Sequence, residues 1–499
     1  MTAPRASDAE TAVEPGHSTR WTVVPVALRG AIARSWSATA VWCLALLWGA
    51  FFAVWAARRH EAFLSHRFDL GNMVQAVWST AHGRFLEATT GDGTQMSRLG
   101  VHVDPLLAAF APAWWVWPSP LLLTTVQAFA LASGVLPVYW LARKHAVDER
   151  VAFNLSLAYL LYPAVQLSAL NDFHPVTLAV PLLLFMVWAL DDDRLVLACL
   201  FAVLAALSKE DVPLVVAGIG IWFAIRHRRP FVGGAIAAFG VSVTLVDLYA
   251  VVPHFAGGPS VFYDRLASVG GSPSGVARTL FTDPERIWSA VTTGADVRYL
   301  VVLLVPLVAL WMFEPLLVLA AAPVLALNLL SDFGPMTSVR YQYVSAIVPC
   351  LFAAAAIGVG RLDGRWALIA TSAVLGLVAL FALTGPIPDL DTYGASTKPS
   401  DAKVAALRRA VALVPPGVPV SASNDLGAHL SDRARVFSFP LRKEADWVAV
   451  NASEWRGEAN PVGETMSPRL YAEAVRALRA DPTFELVFSQ TGVYVYRRR

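Results

Sequence analysis

Charged residues are scarce in this sequence. They make up 15% of its 499 residues, against 56% hydrophobic residues, whereas a soluble domain carries about 25% charged residues. This composition excludes an ordinary soluble globular protein and predicts that much of the chain faces lipid. The net charge is only +2, from 39 basic and 37 acidic residues. Because no basic run is long enough to follow a nucleic-acid backbone, we expect no nucleic-acid partner.

Cysteine is nearly absent as well. The three cysteines, Cys43, Cys199 and Cys350, each fall inside an apolar run. Thiols in such surroundings are typical of inert packing residues. Their number and placement argue against a disulfide framework and against a zinc site.

Long apolar runs fill most of the chain. A membrane span needs about 20 largely apolar residues, and the sequence predicts an α-helical polytopic membrane protein with about 11 transmembrane helices between residues 36 and 385. The run after the polar N-terminus is too long for a signal-peptide core, so residues 1–35 are predicted to be a disordered cytosolic tail. The predicted spans are 37–57, 119–142, 151–169, 175–190, 194–208, 211–226, 231–252, 298–313, 314–330, 342–360 and 365–385.

One further apolar piece, residues 102–118, is interpreted differently. It covers only about 25 Å as a helix, three prolines interrupt it, and three tryptophans cluster near its end. Tryptophan prefers the membrane interface. We therefore expect a re-entrant or interfacial helix at this position.

Charge then predicts the orientation. With the N-terminus in the cytosol, the turns at 143–150, 191–194, 226–229 and 361–365 are cytosolic, and most are basic, as the positive-inside rule requires. Arg58 and Arg59 argue against this orientation. The outer side would hold the loops 58–118 and 253–297, the shorter turns between the other spans, and the C-terminal residues 386–499. Seven of the ten histidines fall there: His60, His66, His82, His102, His174, His254 and His429.

The C-terminal region, residues 386–499, has the pattern of a small soluble α/β domain. It predicts helices at 401–414 and 468–479, the second with Ser467 as N-cap and Pro468 in first position. Strands are predicted at 419–423, 435–439, 447–450, 484–488 and 493–496, the last two forming a hairpin. Because it has no glycine-rich phosphate loop or nucleophile elbow, we interpret it as an accessory domain.

Several polar clusters on the predicted outer side could carry chemistry. Asp69, at the start of an amphipathic helix, is either a helix N-cap or a carboxylate that acts as base or metal ligand. His102 and Asp104 form a pair suited to a divalent cation, although Asp104 could equally cap a helix. Asp172 and His174 lie between two apolar runs, where polar groups are costly without partners; an ordinary solvated turn is the alternative.

Two cationic clusters are further candidates. Lys209 lies in the short turn Ser208-Lys209-Glu210-Asp211, where it either closes the turn as an ion pair or meets an anionic group such as a lipid phosphate. Arg340, followed by Tyr341, offers a guanidinium that matches phosphate bidentately. Anchoring a helix at the interface is an equally ordinary use of such residues.

These residues, in this order, resemble the bacterial membrane family called domain of unknown function 2079. The resemblance covers about residues 40–499 and rests on five pieces: Phe68–Asn72, His102–Pro105, Asn171–Pro175, Ser208–Asp211 and Ser421–Ser431. That family in turn resembles the C-type glycosyltransferases, which have many spans and use a polyprenyl-phosphate sugar donor.

The resemblance implies roles for individual residues. Asp69 falls where those enzymes keep a catalytic aspartate, while Lys209 and Arg340-Tyr341 resemble residues at their outer turns. The chain departs from the pattern at two places: Leu70 follows Asp69 where a second acidic residue is usual, and Asp104-Pro105-Leu106 stands in place of Lys-Pro-Pro-Leu.

The sequence therefore leads to a functional hypothesis. It predicts glycosyl transfer from a polyprenyl-phosphate donor to a cell-envelope acceptor on the outer face of the bacterial inner membrane. Lys209, Arg340 and Tyr341 would bind the donor, Asp69 would act as base, and a divalent metal could be held by His102, Asp104, Asp172 and His174. The alternatives are a lipid or solute transporter, for which Asp247 inside a span is the one pointer, and a non-catalytic envelope-binding protein.

Overall fold

Apolar helices form the larger part of the protein. The computed structural model describes residues 35–385, 399–453 and 466–499, so the predicted N-terminal tail lies outside the described residues. Within them, four helices are long and apolar enough to cross a membrane, and two bent pairs raise the number to six. The helices up to residue 385 are Trp36–Glu61, Asn72–Ala81, Ala111–Val116, Leu121–Ser133, Val135–His145, Glu149–Leu161, Pro163–Leu170, Ala179–Asp191, Leu195–Ala206, Val212–Arg226, Pro230–Val246, Val252–Ala256, Pro273–Thr282, Pro284–Ala290, Gly294–Leu304, Pro315–Leu319, Ala322–Leu329, Val348–Gly358 and Gly364–Thr384.

Each of the eleven predicted spans coincides with helical structure, but many helices are short or broken. The segment 151–169 bends by 41° before Pro163, because proline has no N–H for the preceding turn and clashes with it. The segment 314–330 divides into Pro315–Leu319 and Ala322–Leu329. The segments Leu195–Ala206 and Val212–Arg226 are apolar but shorter than a full span. Because many of these helices are short or broken, the predicted number of about eleven spans stays a prediction.

The segment after His102 does not reach the length of a span. Residues Pro105–Val116 form a short apolar helix that packs against the amphipathic helix Asn72–Ala81. Leu107 and Trp114 are buried there beside Val77. The segment is therefore an apolar helix shorter than a span, and its re-entrant or interfacial position stays a prediction.

The predicted cytosolic turns meet at one end of the helix bundle, called here the basic end. Glu314, buried at 2% exposure, accepts from Arg361 at 2.6 Å and lies 3.3 Å from Arg226. Asp191 pairs with Lys144 at 2.9 Å. These ion pairs join turns that are distant in sequence, so the turns predicted to share one side do lie together.

The C-terminal domain is a mixed five-stranded sheet with helices Asp401–Leu413, Asn424–His429 and Pro468–Ala480. The first two strands of the chain, β1 (Glu87–Thr89) and β2 (Gln95–Ser97), belong to the first loop. The strands of the C-terminal sheet are β3 (Val420–Ala422), β4 (Val436–Ser438), β5 (Trp447–Asn451), β6 (Phe484–Gln490) and β7 (Val493–Arg498). The order is β4-β3-β5-β7-β6, with β3 parallel to β4 and β5.

All five predicted strands of this domain are present. The hairpin of β6 and β7 is antiparallel, and Ser467 caps its helix by accepting from the Leu470 N–H at 3.3 Å, so both predictions are confirmed. One apolar cluster of this sheet includes Phe63, which comes from the end of the first membrane helix. The domain therefore packs directly on the membrane part.

Candidate functional site

Asp69 lies in a short π-helix, Arg67–Gly71, at the start of the first loop. Such widened turns often occur at functional sites. Asp69 caps no helix, because the following helix begins after Gly71 without a side-chain cap. Its carboxylate Oδ1 instead lies 3.2 Å from His174 Nε2, and its side chain is 44% exposed. Two sequence-predicted site residues, 105 positions apart, are thus in contact.

A second pair lies next to the first. His66 Nδ1 is 3.1 Å from Asp172 Oδ2, and the His66 backbone N–H donates to the same oxygen at 2.7 Å. His66, Asp69 and Asp172 each offer one ligand atom, all within 4.8 Å of one another. Imidazole and carboxylate ligands suit divalent metals such as Zn²⁺ and Mn²⁺, so these residues fit a metal ion.

The charges of neighbouring groups shift the pKa values of Asp69 and His66. Partial burial raises the pKa of Asp69, but the hydrogen bond from His174 and the nearby His66 and Arg98 outweigh it, so that this pKa lies below its ordinary value. Burial lowers the pKa of His66, yet the bond to Asp172 raises it above the usual 6.5. The site therefore favours the ionised form of Asp69.

His102 and Asp104 do not join these pairs as ligands. His102 Nδ1 lies 3.0 Å from Glu210 Oε1, and the Val103 N–H donates to the other Glu210 oxygen at 3.0 Å. Asp104 is buried and bound to Arg98 Nε at 2.8 Å; burial raises its pKa, against the charge of Arg98. The four predicted metal ligands therefore lie in two clusters. Asp172 and His174 are near Asp69 and His66, whereas His102 and Asp104 are paired with Glu210 and Arg98.

Lys209 closes its own turn and faces an aromatic ring. Its Nζ donates to Asp211 Oδ2 at 2.5 Å and lies 5.9 Å from the centre of the Tyr343 ring. Burial lowers the pKa of Lys209, but the charges of Asp211 and Glu210 raise it above its ordinary value. The ion pair considered from sequence is therefore present, and it leaves a permanent cation beside Tyr343.

Arg340 reaches the same end of the bundle. The side-chain amide of Asn171 donates to the Arg340 carbonyl, and the Arg340 N–H donates to Ser338 Oγ at 3.2 Å. Tyr341 is 39% exposed. The loop carrying Arg340 and Tyr341 thus contacts the turn that carries Asp172 and His174. This end of the bundle, with Asp69, His174, His102, Glu210 and Arg340, is called here the site end.

Sequence reasoning missed Arg265, which lies in the loop 253–297. Its guanidinium carbon is 4.3 Å from the ring centres of both Phe262 and Phe333. Phe262 stacks on His102, with ring centres 4.5 Å apart. Among the described residues no carboxylate pairs with Arg265. No motif marks this residue, since one of the two rings that flank it, Phe333, comes from a distant loop.

Sequence reasoning also missed His66 and Glu210 as members of the site. Glu210 is next to Lys209 in a turn with three adjacent charged residues, and this pattern is a usable signal for a functional role. His66 lies three residues before Asp69, but only the fold brings Asp172 to it.

No curated protein matches the chain in sequence. In structure, the chain is similar to ArnT from Cupriavidus metallidurans bound to undecaprenyl phosphate, at 11% identity and a TM-score of 0.52, over 90% of this chain and 97% of that chain. The apo state of the same ArnT gives 14% identity and a TM-score of 0.48, over 91% and 98%.

A third similar structure is the Archaeoglobus fulgidus oligosaccharyltransferase tethered with an acceptor peptide. It gives 12% identity and a TM-score of 0.41, over 91% of this chain and 74% of that chain. The two comparisons with TM-scores below 0.5 carry no argument about the fold. The first comparison supports a shared fold, that of the C-type membrane glycosyltransferases. The family described as "Predicted membrane protein (DUF2079)" matches residues 59–495. The chain therefore belongs to this family of membrane proteins.

Proposed function

We propose that this protein transfers a sugar from a polyprenyl-phosphate donor to a cell-envelope acceptor on the outer face of the bacterial inner membrane. The observation that carries the proposal is the contact of Asp69 with His174, 3.2 Å apart, at the same end of the bundle as Lys209 and Arg340. A partly exposed carboxylate beside an imidazole is suited to general base catalysis.

The transfer step balances as follows. The acceptor hydroxyl oxygen forms a bond to the anomeric carbon of the sugar, and the bond from that carbon to the phosphate oxygen breaks. The electron pair of the broken bond leaves with the polyprenyl phosphate, and the hydroxyl proton passes to Asp69. The pair with His174 orients the carboxylate towards the acceptor. Nearby cations would stabilise the charge that develops on the leaving phosphate.

Lys209, Arg340 and Tyr341 are proposed to bind the donor phosphate, together with Arg265 from the outer loop. Arg265 is held between two aromatic rings, which orients its planar guanidinium for bidentate contact. The fold shared with a protein that binds undecaprenyl phosphate supports a lipid of this kind.

A divalent metal would be held by His66, Asp69 and Asp172, with His174 adjacent. When bound, such an ion supplies a positive charge that could neutralise a phosphate oxygen. His102 and Asp104, also proposed from sequence as ligands, would serve instead to hold Glu210 and Arg98 in place.

The test compares Asp69→Asn with the surface control Asp92→Asn in purified protein. Asp92 lies in the turn between β1 and β2, and its hydrogen-bond partners among the described residues are Thr90 and Thr94 of that turn. Co-purified lipids are first identified by mass spectrometry, and the polyprenyl-phosphate sugar found is supplied as donor. We expect Asp69→Asn to reduce transfer by about 100-fold or more and Asp92→Asn to leave it unchanged. Full transfer by folded Asp69→Asn would reject the assignment of the base.

A transporter or flippase is the second candidate, because one buried carboxylate favours it. Asp247 lies within the membrane helix Pro230–Ala256 at 5% exposure, and its Oδ2 has no hydrogen-bond partner among the described residues. Ionisable groups inside spans often mark transport paths. Lipid movement in vesicles that is lost in Asp247→Asn but kept in Asp69→Asn would favour this function over transfer.

A further inference from the structure

One motif found in the sequence has no role in the site described above. It is Ser421–Ser431, in the C-terminal domain. In the structure its short helix, Asn424–His429, packs on the π-helix Arg67–Gly71 that carries Asp69. Two motifs separated by more than 300 residues are therefore in direct contact.

Asn424 provides the key contact of this junction. Its side-chain oxygen accepts from the Arg67 N–H at 2.9 Å and from the Phe68 N–H at 3.3 Å. These are the first two N–H groups of the π-helix. The first N–H groups of any helix lack partners within it and are usually satisfied by a side chain from the residue before it. Here that side chain comes from another domain.

The Arg67 side chain continues the junction. It is fully buried at 1% exposure, and its Nη2 donates to the Thr89 carbonyl at 2.8 Å and to the Val436 carbonyl. Burial lowers its pKa to about 10. Because one of these carbonyls comes from the first loop and the other from the C-terminal domain, separating the two would remove the Val436 partner of a buried cation.

Two glycines permit this close approach. A Cβ at Gly427 would lie 2.9 Å from Arg67 Cβ, and a Cβ at Gly71 would lie 2.6 Å from Ser431 Oγ. Both distances are shorter than real Cβ contacts. The close fit therefore depends on the absence of side chains on both faces of the junction.

We propose that Asn424 is a positioning residue for Asp69, and that the C-terminal domain is part of the candidate site. By fixing the first turn of the π-helix, Asn424 sets the direction in which the Asp69 carboxylate points two residues later. The expected effect of Asn424 on transfer rests on the proposed function, whereas its effect on the order of the π-helix does not.

The experiment uses three variants of the full chain. Asn424→Ala removes the acceptor, Asn424→Asp keeps an oxygen that can accept both N–H groups, and Val475→Ala is a control. Val475 is buried in the same domain but in the apolar cluster that includes Phe439 and Tyr471, away from Phe63 and the junction. Hydrogen–deuterium exchange of the peptide covering residues 66–72 is measured first, because it needs no substrate.

We expect exchange in this peptide to become about tenfold faster or more in Asn424→Ala and to return towards wild type in Asn424→Asp. Val475→Ala should leave it unchanged even if it lowers the thermal stability of the domain. Equal exchange in wild type and Asn424→Ala would overturn the proposal. Faster exchange in Val475→Ala as well would overturn it too, because the effect would then be general loosening.

Transfer is measured second. We expect Asn424→Ala to lower kcat by about 100-fold, since a small misplacement of a catalytic group has an effect of this size, with a small change in KM and recovery in Asn424→Asp. If wild type shows no transfer, the proposed function fails while the exchange result still decides the junction. If exchange changes but kcat does not, Asn424 holds the loop without positioning Asp69, and the proposal is overturned.

A fourth variant, Gly427→Ala, tests the proposal independently in case Asn424→Ala does not fold. Gly427→Ala keeps every hydrogen-bonding group but inserts a methyl against Arg67. We expect it to reproduce the faster exchange of residues 66–72 and the lower kcat. Wild-type behaviour of Gly427→Ala would contradict the close fit on which the inference depends.

Discussion

At the level of single residues, the pair of Arg98 and Asp104 shows why the site end holds its shape. Their side chains are only 9% and 3% exposed and 2.8 Å apart. Removing one partner of a buried ion pair leaves the other charge unpaired, which typically destabilises a protein by about 3–5 kcal/mol. Replacing both partners by neutral groups is much less costly. The pair thus fixes the loop that carries His102.

The corresponding prediction concerns stability. We expect Arg98→Leu to destabilise the protein by about 3–5 kcal/mol, because Asp104 remains buried without its cation. The double variant Arg98→Leu/Asp104→Leu should recover a large part of the loss. Thermal unfolding in detergent, followed by intrinsic fluorescence, checks both. Equal stability of the single and double variants would show that the pair is not coupled.

Arg265 gives a second prediction at this scale, which concerns binding. Arg265→Gln keeps hydrogen-bonding capacity but removes the charge, so we expect KM for a polyprenyl-phosphate sugar to rise about tenfold or more with a smaller effect on kcat. The control is Arg278→Gln, an exposed arginine of the same loop. A kcat loss at unchanged KM would mean that Arg265 does not contribute to ground-state binding of the donor.

At the level of elements, the end of the first membrane helix meets the C-terminal domain through stacked rings. The His60 and His429 rings lie 3.9 Å apart at 17°, and Phe63 lies 4.0 Å from His429. Burial, and then the charge of His60, hold the pKa of His429 well below 6.5. Arg408, from the helix Asp401–Leu413, also faces His429. Positive charge is therefore disfavoured at this contact.

This contact predicts a loss of stability in acid. An unfolded histidine takes up a proton near pH 6.5, whereas His429 in the folded protein does so only at lower pH. Its contribution to stability is thus fully present above about pH 6.5 and declines as the pH falls towards the folded pKa. We expect His429→Phe, which keeps the ring but cannot be protonated, to show a shallower decline. Melting temperatures between pH 4.5 and 8 test this, and parallel curves for both proteins would contradict it.

At the level of the whole molecule, polar contacts are gathered at two ends of the bundle. The basic end holds the ion pairs of Glu314 and Asp191, and the site end holds the pairs of Asp69, Asp172 and Glu210. Basic turns favour the cytosolic side of a membrane. We therefore propose that the site end and the C-terminal domain face outwards.

Labelling of introduced cysteines tests this orientation. Val147, at the basic end, is 97% exposed, and the side chain of Arg469, in the C-terminal domain, is 88% exposed. With an impermeant maleimide on right-side-out membrane vesicles, we expect Arg469→Cys to be labelled and Val147→Cys to react only after lysis. Both variants are made in a chain that lacks the exposed cysteines Cys43 and Cys199. That chain without an introduced cysteine is the control. The reverse pattern would place the site in the cytosol.

The sequence by itself determined those features that local pattern controls. Apolar runs predicted the positions of the membrane helices, and alternation with turn residues predicted all five strands of the C-terminal sheet, because burial of apolar surface and strand periodicity act over neighbouring residues. The helices Pro273–Thr282 and Pro284–Ala290, inside the predicted loop 253–297, were missed because they are not long apolar runs. The short hairpin of β1 and β2 and the helix Asn424–His429 were missed because each is too brief to show a period.

The tertiary structure alone decided which polar groups meet. Asp69 pairs with His174, His102 with Glu210, and the π-helix with Asn424, over separations that no local pattern encodes. The sequence grouped His102 with Asp104 by proximity, yet the fold gives them different partners. Contacts of this kind depend on how helices and loops pack in three dimensions, because a buried charge takes whichever partner the packing brings within reach.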